Sequence, residues 1–186
     1  QFFPLTFKAA VAGSTTLAAD EVTATINGVA VTTRAPATLG YRQVATVAAV
    51  SKAGAPLTYR SLAPACALNG QQITPLAGAG ECAISVTSAG NANVAPVTVI
   101  LPIRLVPGTQ TLGGFALPVG LKAFSKTNLP TETNFGEKVT YKAIGSCSVV
   151  RSVLTMRRGQ CEITATSKAR KGLYEALTTK LTTAAK

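Results

Sequence analysis

The sequence predicts an all-β protein of two tandem β-sandwich domains, each with its own local disulfide, preceded by an N-terminal strand and hairpin. Three observations predict this class. Helical periodicity is almost absent, and short segments rich in Val, Ile and Thr are separated by Gly, Pro and Asn. One sequence pattern occurs twice along the 186 residues, and each copy contains one pair of cysteines.

The repeat defines the predicted domains. Its shared pattern is a Thr-Tyr strand, a first cysteine, and a Gly-x-Cys strand that ends in Thr-Ser. The first copy comprises residues 57–59, Cys66 and residues 80–88. The second copy comprises residues 139–141, Cys147 and residues 159–167. Pro107 and Gly108 lie between the copies, as expected for a short linker. We therefore expect an N-terminal extension at 1–38, a first domain at 39–107 and a second at 108–186, held at a limited range of angles.

The four cysteines are predicted to form two disulfides. Cys66 is 16 positions before Cys82, and Cys147 is 14 positions before Cys161. Zinc sites usually have closely spaced Cys pairs or nearby His, and the chain has no His. Disulfides therefore fit better than a metal, and they indicate an oxidising, extracellular compartment.

The individual strands follow from alternation and turn signals. Asn27-Gly28 between residues 22–26 and 29–33 predicts a tight hairpin, because both turn positions need a positive φ. The other predicted strands are residues 44–50, 57–60, 72–75, 83–87 and 97–101 in the first copy, and 117–124, 138–143, 148–155, 162–167 and 176–184 in the second.

The first 38 residues have no counterpart in the repeat, and two interpretations stay open. The segment adds strands to the first sandwich, or its apolar start is donated to the sheet edge of another copy. The side chains that would form such an assembly strand are Phe2, Phe3, Leu5 and Phe7. The chain begins at Gln1, without a signal sequence, which we interpret as a mature N-terminus.

Charge is sparse and unevenly distributed. Only 13% of residues are charged, so an assembly that covers part of an apolar surface is one explanation, and a surface rich in Thr, Ser and Asn is another. Residues 109–186 hold 12 of the 18 basic residues. The densest basic cluster, Arg157, Arg158, Lys168, Arg170 and Lys171, is a candidate patch for an anionic partner or an ordinary set of solvated loops. Nucleic acid is not expected, because only 5% of residues are aromatic.

The repeated pattern resembles a family of bacterial immunoglobulin-like domains found in large secreted and surface proteins. The resemblance covers about residues 40–107 and 110–180, and it implies an immunoglobulin-like sandwich for each copy. The second copy departs from the pattern in two loops, residues 127–136 and 169–174. The resemblance implies a structural or binding role outside the cell.

No enzyme chemistry is indicated. The chain lacks His, and its seven carboxylates are scattered, so no acid–base pair, triad or cofactor motif is found. No apolar run is long enough for a transmembrane helix. The sequence thus predicts a non-enzymatic, secreted or cell-surface protein without a cofactor. Two functions remain: a structural subunit that assembles with its own copies into a fibre, sheath or layer, and an adhesion module for a glycan or anionic cell-wall polymer.

Overall fold

The computed structural model describes residues 16–186, and these form β-strands and turns without a helix. The N-terminal residues Phe2, Phe3, Leu5 and Phe7 lie outside the described residues. The thirteen strands are β1 (Val22–Ile26), β2 (Val29–Ala30), β3 (Ala37–Gly40), β4 (Ala45–Ser51), β5 (Leu57–Ser61), β6 (Cys66–Asn69), β7 (Gln72–Pro75), β8 (Gly80–Ser88), β9 (Val97–Val106), β10 (Lys126–Asn128), β11 (Thr140–Val150), β12 (Val153–Ser167) and β13 (Leu177–Ala185). The all-β prediction is confirmed.

The first sandwich packs two sheets face to face. Their strand orders are β2-β1-β4-β7-β6 and β3-β9-β8-β5, and β3 runs parallel to β9. Alternate residues of both sheets point inwards, and the side chains of Val47, Ile73, Ile84, Val86 and Leu101 have no exposed surface. Burial of such side chains is the main favourable contribution to folding.

The N-terminal hairpin belongs to this first sandwich. β1 pairs with β4 along its whole length, and Ile26 and Val31 lie in the core. The turn has the predicted geometry, with φ of 51° at Asn27 and 78° at Gly28. In addition, the Asn27 side-chain oxygen accepts a hydrogen bond from the Thr46 amide at 2.9 Å. The described part of the extension thus adds strands within the molecule.

In the second sandwich, two long strands run through both layers. β11 and β12 form one hairpin, whose turn at Arg151 and Ser152 has φ of 49° and 60°. The ladder shifts where Gly145 pairs with Cys161 and Cys147 pairs with Met156, so residues 157–160 bulge. The first part of β12 pairs with β10 and the last part pairs with β13. These two parts correspond to β7 and β8 of the first sandwich, which belong to different sheets.

Two strand predictions in the second copy are wrong. Residues 148–155 are not one strand, because the turn at Arg151 and Ser152 divides them between β11 and β12. Residues 117–124 are not a strand either, and make only an isolated bridge from Leu121 to Ala185. Pro118 has no amide hydrogen and Gly120 has a φ of 68°, so this segment cannot form a regular ladder.

The structural repeat begins earlier than the sequence repeat. Ala19 forms a parallel bridge with Ala95 as the chain enters the first sandwich, and Gly108 forms the same bridge with Tyr174 in the second. Buried polar side chains follow both bridges, Asp20 in one case and Gln110 in the other. The beginning of the first sandwich therefore has a counterpart in the linker, where sequence comparison finds none.

Candidate functional site

Both disulfides have the predicted pairing and occupy equivalent positions. Cys66 in β6 bonds to Cys82 in β8, which joins the two sheets of the first sandwich. Cys147 and Cys161 bond beside the bulge, where β11 and β12 pass from one layer to the other. The described residues contain no free cysteine. The four sulfurs therefore act as structural cross-links.

The most elaborate polar and aromatic arrangement lies between the two sandwiches, and we call it the joint. It comprises Tyr41 and Gly78 of the first sandwich, the linker around Gly108, and Phe135 and residues 168–175 of the second. The Gly78 amide donates a hydrogen bond to the Gly172 carbonyl at 2.7 Å. The Gly108 amide donates to Leu173 at 2.8 Å, and Glu175 donates back to the Gly108 carbonyl at 3.1 Å. Backbone bonds thus fix the second sandwich both to the first and to the linker.

Three aromatic rings pack together at the joint. The Phe135 centroid is 5.4 Å from that of Tyr41 and 4.8 Å from that of Tyr174, and the Tyr41 and Tyr174 centroids are 5.9 Å apart. These separations lie within the range of favourable aromatic pairs. The cluster crosses the boundary between the sandwiches, so a change in their angle would move Tyr41 relative to Phe135 and Tyr174.

Two glycines permit this close approach. A Cβ on Gly78 would overlap the backbone of Leu173, with its carbonyl carbon only 2.7 Å away. A Cβ on Gly108 would lie 2.8 Å from the Phe135 ring and 3.0 Å from the Tyr41 carbonyl oxygen. Neither glycine has a positive φ, so close contact and not backbone conformation explains glycine here.

Side-chain hydrogen bonds hold the second sandwich's half of the joint. The Tyr174 hydroxyl donates to the Glu137 carboxylate at 2.5 Å, and this bond is the main reason that the pKa of Tyr174 is raised. Gln110 is buried, and its amide donates to the carbonyls of Lys168 and Glu175 at 2.8 and 2.7 Å. Both hydrogen atoms of the Gln110 amide nitrogen are thus paired, whereas its buried side-chain oxygen has no partner among residues 16–186.

The corresponding end of the first sandwich holds a buried carboxylate. Asp20 is 5% exposed and accepts hydrogen bonds from the hydroxyls of Ser51 and Ser88 at 2.6 and 2.5 Å, and from the Ala53 amide at 3.2 Å. The bond from Ser51, followed by that from Ser88, lowers the pKa of Asp20. Asp20 therefore joins three segments of the first sandwich as an anion, in a structural role.

An open cleft lies beside the joint, with a volume of about 480 Å³. Its walls include Tyr41, Arg42, Gln43, Asn134 and Phe135. The Arg42 guanidinium lies 5.3 Å from the Tyr41 ring centroid, a cation–π distance, and no ion pair to it is found among residues 16–186. An exposed cation on an aromatic face is suited to an anionic or sugar ligand.

The predicted basic cluster is divided between the two ends of the second sandwich. Arg157 and Arg158 are exposed in the bulge of β12, whereas Lys168, Arg170 and Lys171 are exposed in the turn after β12, next to the joint. A strand rises about 3.3 Å per residue, so the two groups are roughly 30 Å apart. These five residues thus do not form one patch, and anion binding by either group stays a prediction.

Sequence reasoning missed the joint. Tyr41, Phe135 and Tyr174 are isolated aromatics that lie in loops, without any periodic pattern. One signal existed: Phe135 and Tyr174 lie in the two loops, residues 127–136 and 169–174, in which the second copy departs from the repeat. Those departures mark the loops that contact the first sandwich.

Among residues 16–186, no three His, Cys, Asp or Glu side chains lie close enough together to hold a metal ion. The same part of the chain has no helix of the length and apolar character needed to cross a membrane.

Comparisons with known proteins find similar solved structures only. No protein-family model matches the sequence, and no curated protein matches it significantly. The S-layer protein rSbsC(31-844) is 17% identical with a TM-score of 0.36, and the match covers 92% of this chain and 28% of that one. The fibronectin(III)-like modules of Clostridium thermocellum CbhA are 12% identical with a TM-score of 0.30, over 88% and 94% of the two chains. The human Desmocollin-1 ectodomain is 10% identical with a TM-score of 0.30, over 90% and 41%.

These similarities are weak, so the structural class of the protein is assigned from its own strand pairing. The chain is an all-β protein with two β-sandwiches and two disulfides.

Proposed function

We propose that this chain is a non-enzymatic structural protein of the bacterial cell surface, and that copies of it assemble into a fibre, sheath or layer. The observation that carries the proposal is the joint, where backbone hydrogen bonds, three packed rings and two close-contact glycines hold the sandwiches at one angle. A fixed angle between units is what a regular assembly needs. The disulfides support an oxidising, extracellular location.

Open sheet edges supply the means of assembly. Within residues 16–186, β5 pairs with β8 alone, and β13 pairs with β12 alone apart from the bridge between Leu121 and Ala185. An unpaired strand edge presents amide and carbonyl groups that another strand can complete. The N-terminal residues Phe2, Phe3, Leu5 and Phe7 are the proposed donated strand, and the edge of a neighbouring copy is the proposed acceptor.

The test measures mass and shape as concentration rises. Light scattering after size exclusion, with negative-stain electron microscopy, should show polymers of the full chain. The variant Phe3→Asp with Leu5→Asp should be monomeric, whereas Val150→Asp, at a 68% exposed site at the end of β11, should still polymerise. A chain that stays monomeric up to millimolar concentration would overturn the proposal.

The cleft at the joint favours a second function, adhesion to a glycan or an anionic cell-wall polymer. Arg42 and Tyr41 provide a cation and an aromatic face there, and the exposed Lys168, Arg170 and Lys171 lie at the same junction of the sandwiches. Titration with an acidic oligosaccharide should shift NMR signals around the cleft. Arg42→Gln should weaken the shifts and Arg151→Gln should not; equal effects of both variants would exclude the cleft.

A further inference from the structure

The end of the second sandwich that faces away from the joint has an unusual surface, which we call the distal tip. It comprises residues 118–126, the bulge residues Arg157 and Arg158, and Lys186. The Phe124 amide donates to the Met156 carbonyl at 2.8 Å, and the Met156 amide donates to Ser125 at 3.1 Å. These bonds place the turn at Phe124 directly beside Arg157, and the Ala123 amide connects it to the Lys186 carbonyl at 3.4 Å.

Two large apolar side chains protrude from the distal tip. Val119 is 97% exposed and Phe124 is 79% exposed. Phe124 also has a φ of 65°, in the left-handed region that bulky residues rarely adopt. The fold therefore accepts backbone strain at a residue whose ring contributes little to the core. Strain of this kind is typical of functional positions.

The charges around these side chains are all positive. Lys122, Lys126, Arg157, Arg158 and Lys186 are exposed, and the segments 115–131, 151–161 and 176–186 contain no Asp or Glu. The first carboxylate after Arg158 is Glu162, which forms an ion pair with Lys180 at 3.0 Å. An apolar projection within a ring of cations is complementary to an anionic lipid surface, because headgroups attract the cations and the interface accepts the aromatic ring.

The first sandwich shows why a second copy fits the distal tip poorly. Its equivalent turn, at Tyr41, Arg42 and Gln43, contacts the second sandwich. The amides of these three residues donate to Val106, Pro75 and Gly40, just as those of Ala123, Phe124 and Ser125 donate to Lys186, Met156 and Lys122. The contact between the two sandwiches depends on Gly78, which lies in the four-residue connection between β7 and β8. The distal tip has Arg157 and Arg158 in the corresponding stretch of β12, so another sandwich cannot approach by the same contacts.

We propose that the distal tip docks on an anionic lipid bilayer, with Phe124 and Val119 entering the interface and the surrounding lysines and arginines contacting the headgroups. Docking of this kind is peripheral, and it does not depend on polymerisation of the chain.

The chain offers a direct probe of this docking because it contains no Trp. Phe124→Trp would place a single reporter at the tip, and its emission should shift to the blue on vesicles of 30% phosphatidylglycerol in phosphatidylcholine at low salt. Val150→Trp is the matched control, since Val150 is also exposed and lies next to Arg151. Its emission should not change.

Sedimentation with the same vesicles measures the contribution of each part. Arg157→Ser with Arg158→Ser should weaken binding by about 25-fold, from the electrostatic attraction typical of two basic residues near an anionic membrane. Phe124→Ser should weaken it by about tenfold, for partial burial of one aromatic ring. Phe124→Gly should bind as weakly but unfold at a higher temperature, because glycine accepts the left-handed backbone. That combination separates lost docking from lost folding.

Five outcomes would overturn the proposal. These are no binding to anionic vesicles in 20 mM salt, equal binding to neutral phosphatidylcholine vesicles, and binding unchanged when Phe124 and both arginines are replaced. The fourth is tight binding of soluble polyphosphate that needs the arginines but not Phe124, which would assign the tip to an anionic polymer. If sedimentation equilibrium shows a dimer that Phe124→Ser abolishes, the occupant is a second copy.

Discussion

A single added methyl group at Gly78 should release the joint without unfolding either sandwich. The Cβ of Gly78→Ala would lie 2.7 Å from the Leu173 carbonyl carbon and 2.8 Å from its Cα. Carbon atoms in contact are normally at least about 3.5 Å apart. The contact involves two backbones, so a rotamer change cannot relieve it.

The geometry sets the size of the effect. The two backbones must separate by at least about 0.8 Å, because the Leu173 carbonyl oxygen lies even closer to that Cβ than the carbonyl carbon does. The hydrogen bond from Gly78 to Gly172, at 2.7 Å, would then be about 3.5 Å long and effectively lost. One such bond contributes about 1 kcal/mol, so its loss lowers the ratio of closed to open joints about fivefold.

Nuclear magnetic resonance measures this directly. Residual dipolar couplings should fit one alignment tensor in the wild type and two in Gly78→Ala, and the amide at position 78 should exchange at least about fivefold faster. Gly40→Ala is the matched control, because its Cβ would lie 3.5 Å from the Gln43 side chain and 3.6 Å from the Pro107 oxygen, ordinary contacts. The reasoning would be refuted if both sandwiches of Gly78→Ala fitted one alignment tensor and the amide at position 78 exchanged at the wild-type rate.

Three further predictions concern stability. Cys147→Ser with Cys161→Ser should lower the free energy of unfolding by about 3 kcal/mol in urea titration, for release of a loop of about 15 residues. Asp20→Asn should make the free energy of unfolding depend less on pH in the acid range. The folded-state pKa of Asp20 lies below the ordinary 3.8, so the ionised side chain stabilises the fold above pH 3.8. This stabilisation is lost as the pH falls through the folded-state pKa. Ile84→Ala, at a fully buried site, should cost about 2–5 kcal/mol in the same titration.

Each of these predictions has an internal control. The reduced wild type should be no more stable than the variant that lacks Cys147 and Cys161. Glu21→Gln removes an exposed carboxylate that lies beside Asp20 and pairs with Lys52, so it is the matched control for Asp20→Asn. Ile100→Ala, at a 53% exposed site, should cost little. If Glu21→Gln reduced the pH dependence as much as Asp20→Asn, the buried carboxylate would not be its cause.

Local chemistry explains which strands could be predicted. Asn27-Gly28 determines the hairpin because only residues that tolerate positive φ fit the turn. Segment 117–124 is also apolar, but Pro118 and Gly120 interrupt the ladder, and only Leu117 and Leu121 pack against the core from this irregular chain. Apolar alternation alone does not distinguish these two cases.

Long-range placement explains what sequence could not predict. Tyr41 and Tyr174 are far apart along the chain and meet only because both sandwiches have formed. Arg157 and Lys168 are close in sequence but lie at opposite ends of the second sandwich, one in the bulge of β12 and the other just after the strand. Phe124 is exposed because its turn copies that of Arg42, and only the hydrogen bonds of both turns show this equivalence.

The position of the first disulfide also has a mechanical consequence. Because Cys66 and Cys82 connect the two sheets directly, a pull on the chain ends bypasses the segment between them, including all of β7. That segment would otherwise extend by about 50 Å on unravelling. The equivalent bond from Cys147 to Cys161 shields part of β12 in the same way. The two disulfides therefore limit the length to which the oxidised protein can be stretched, and their reduction would increase that length.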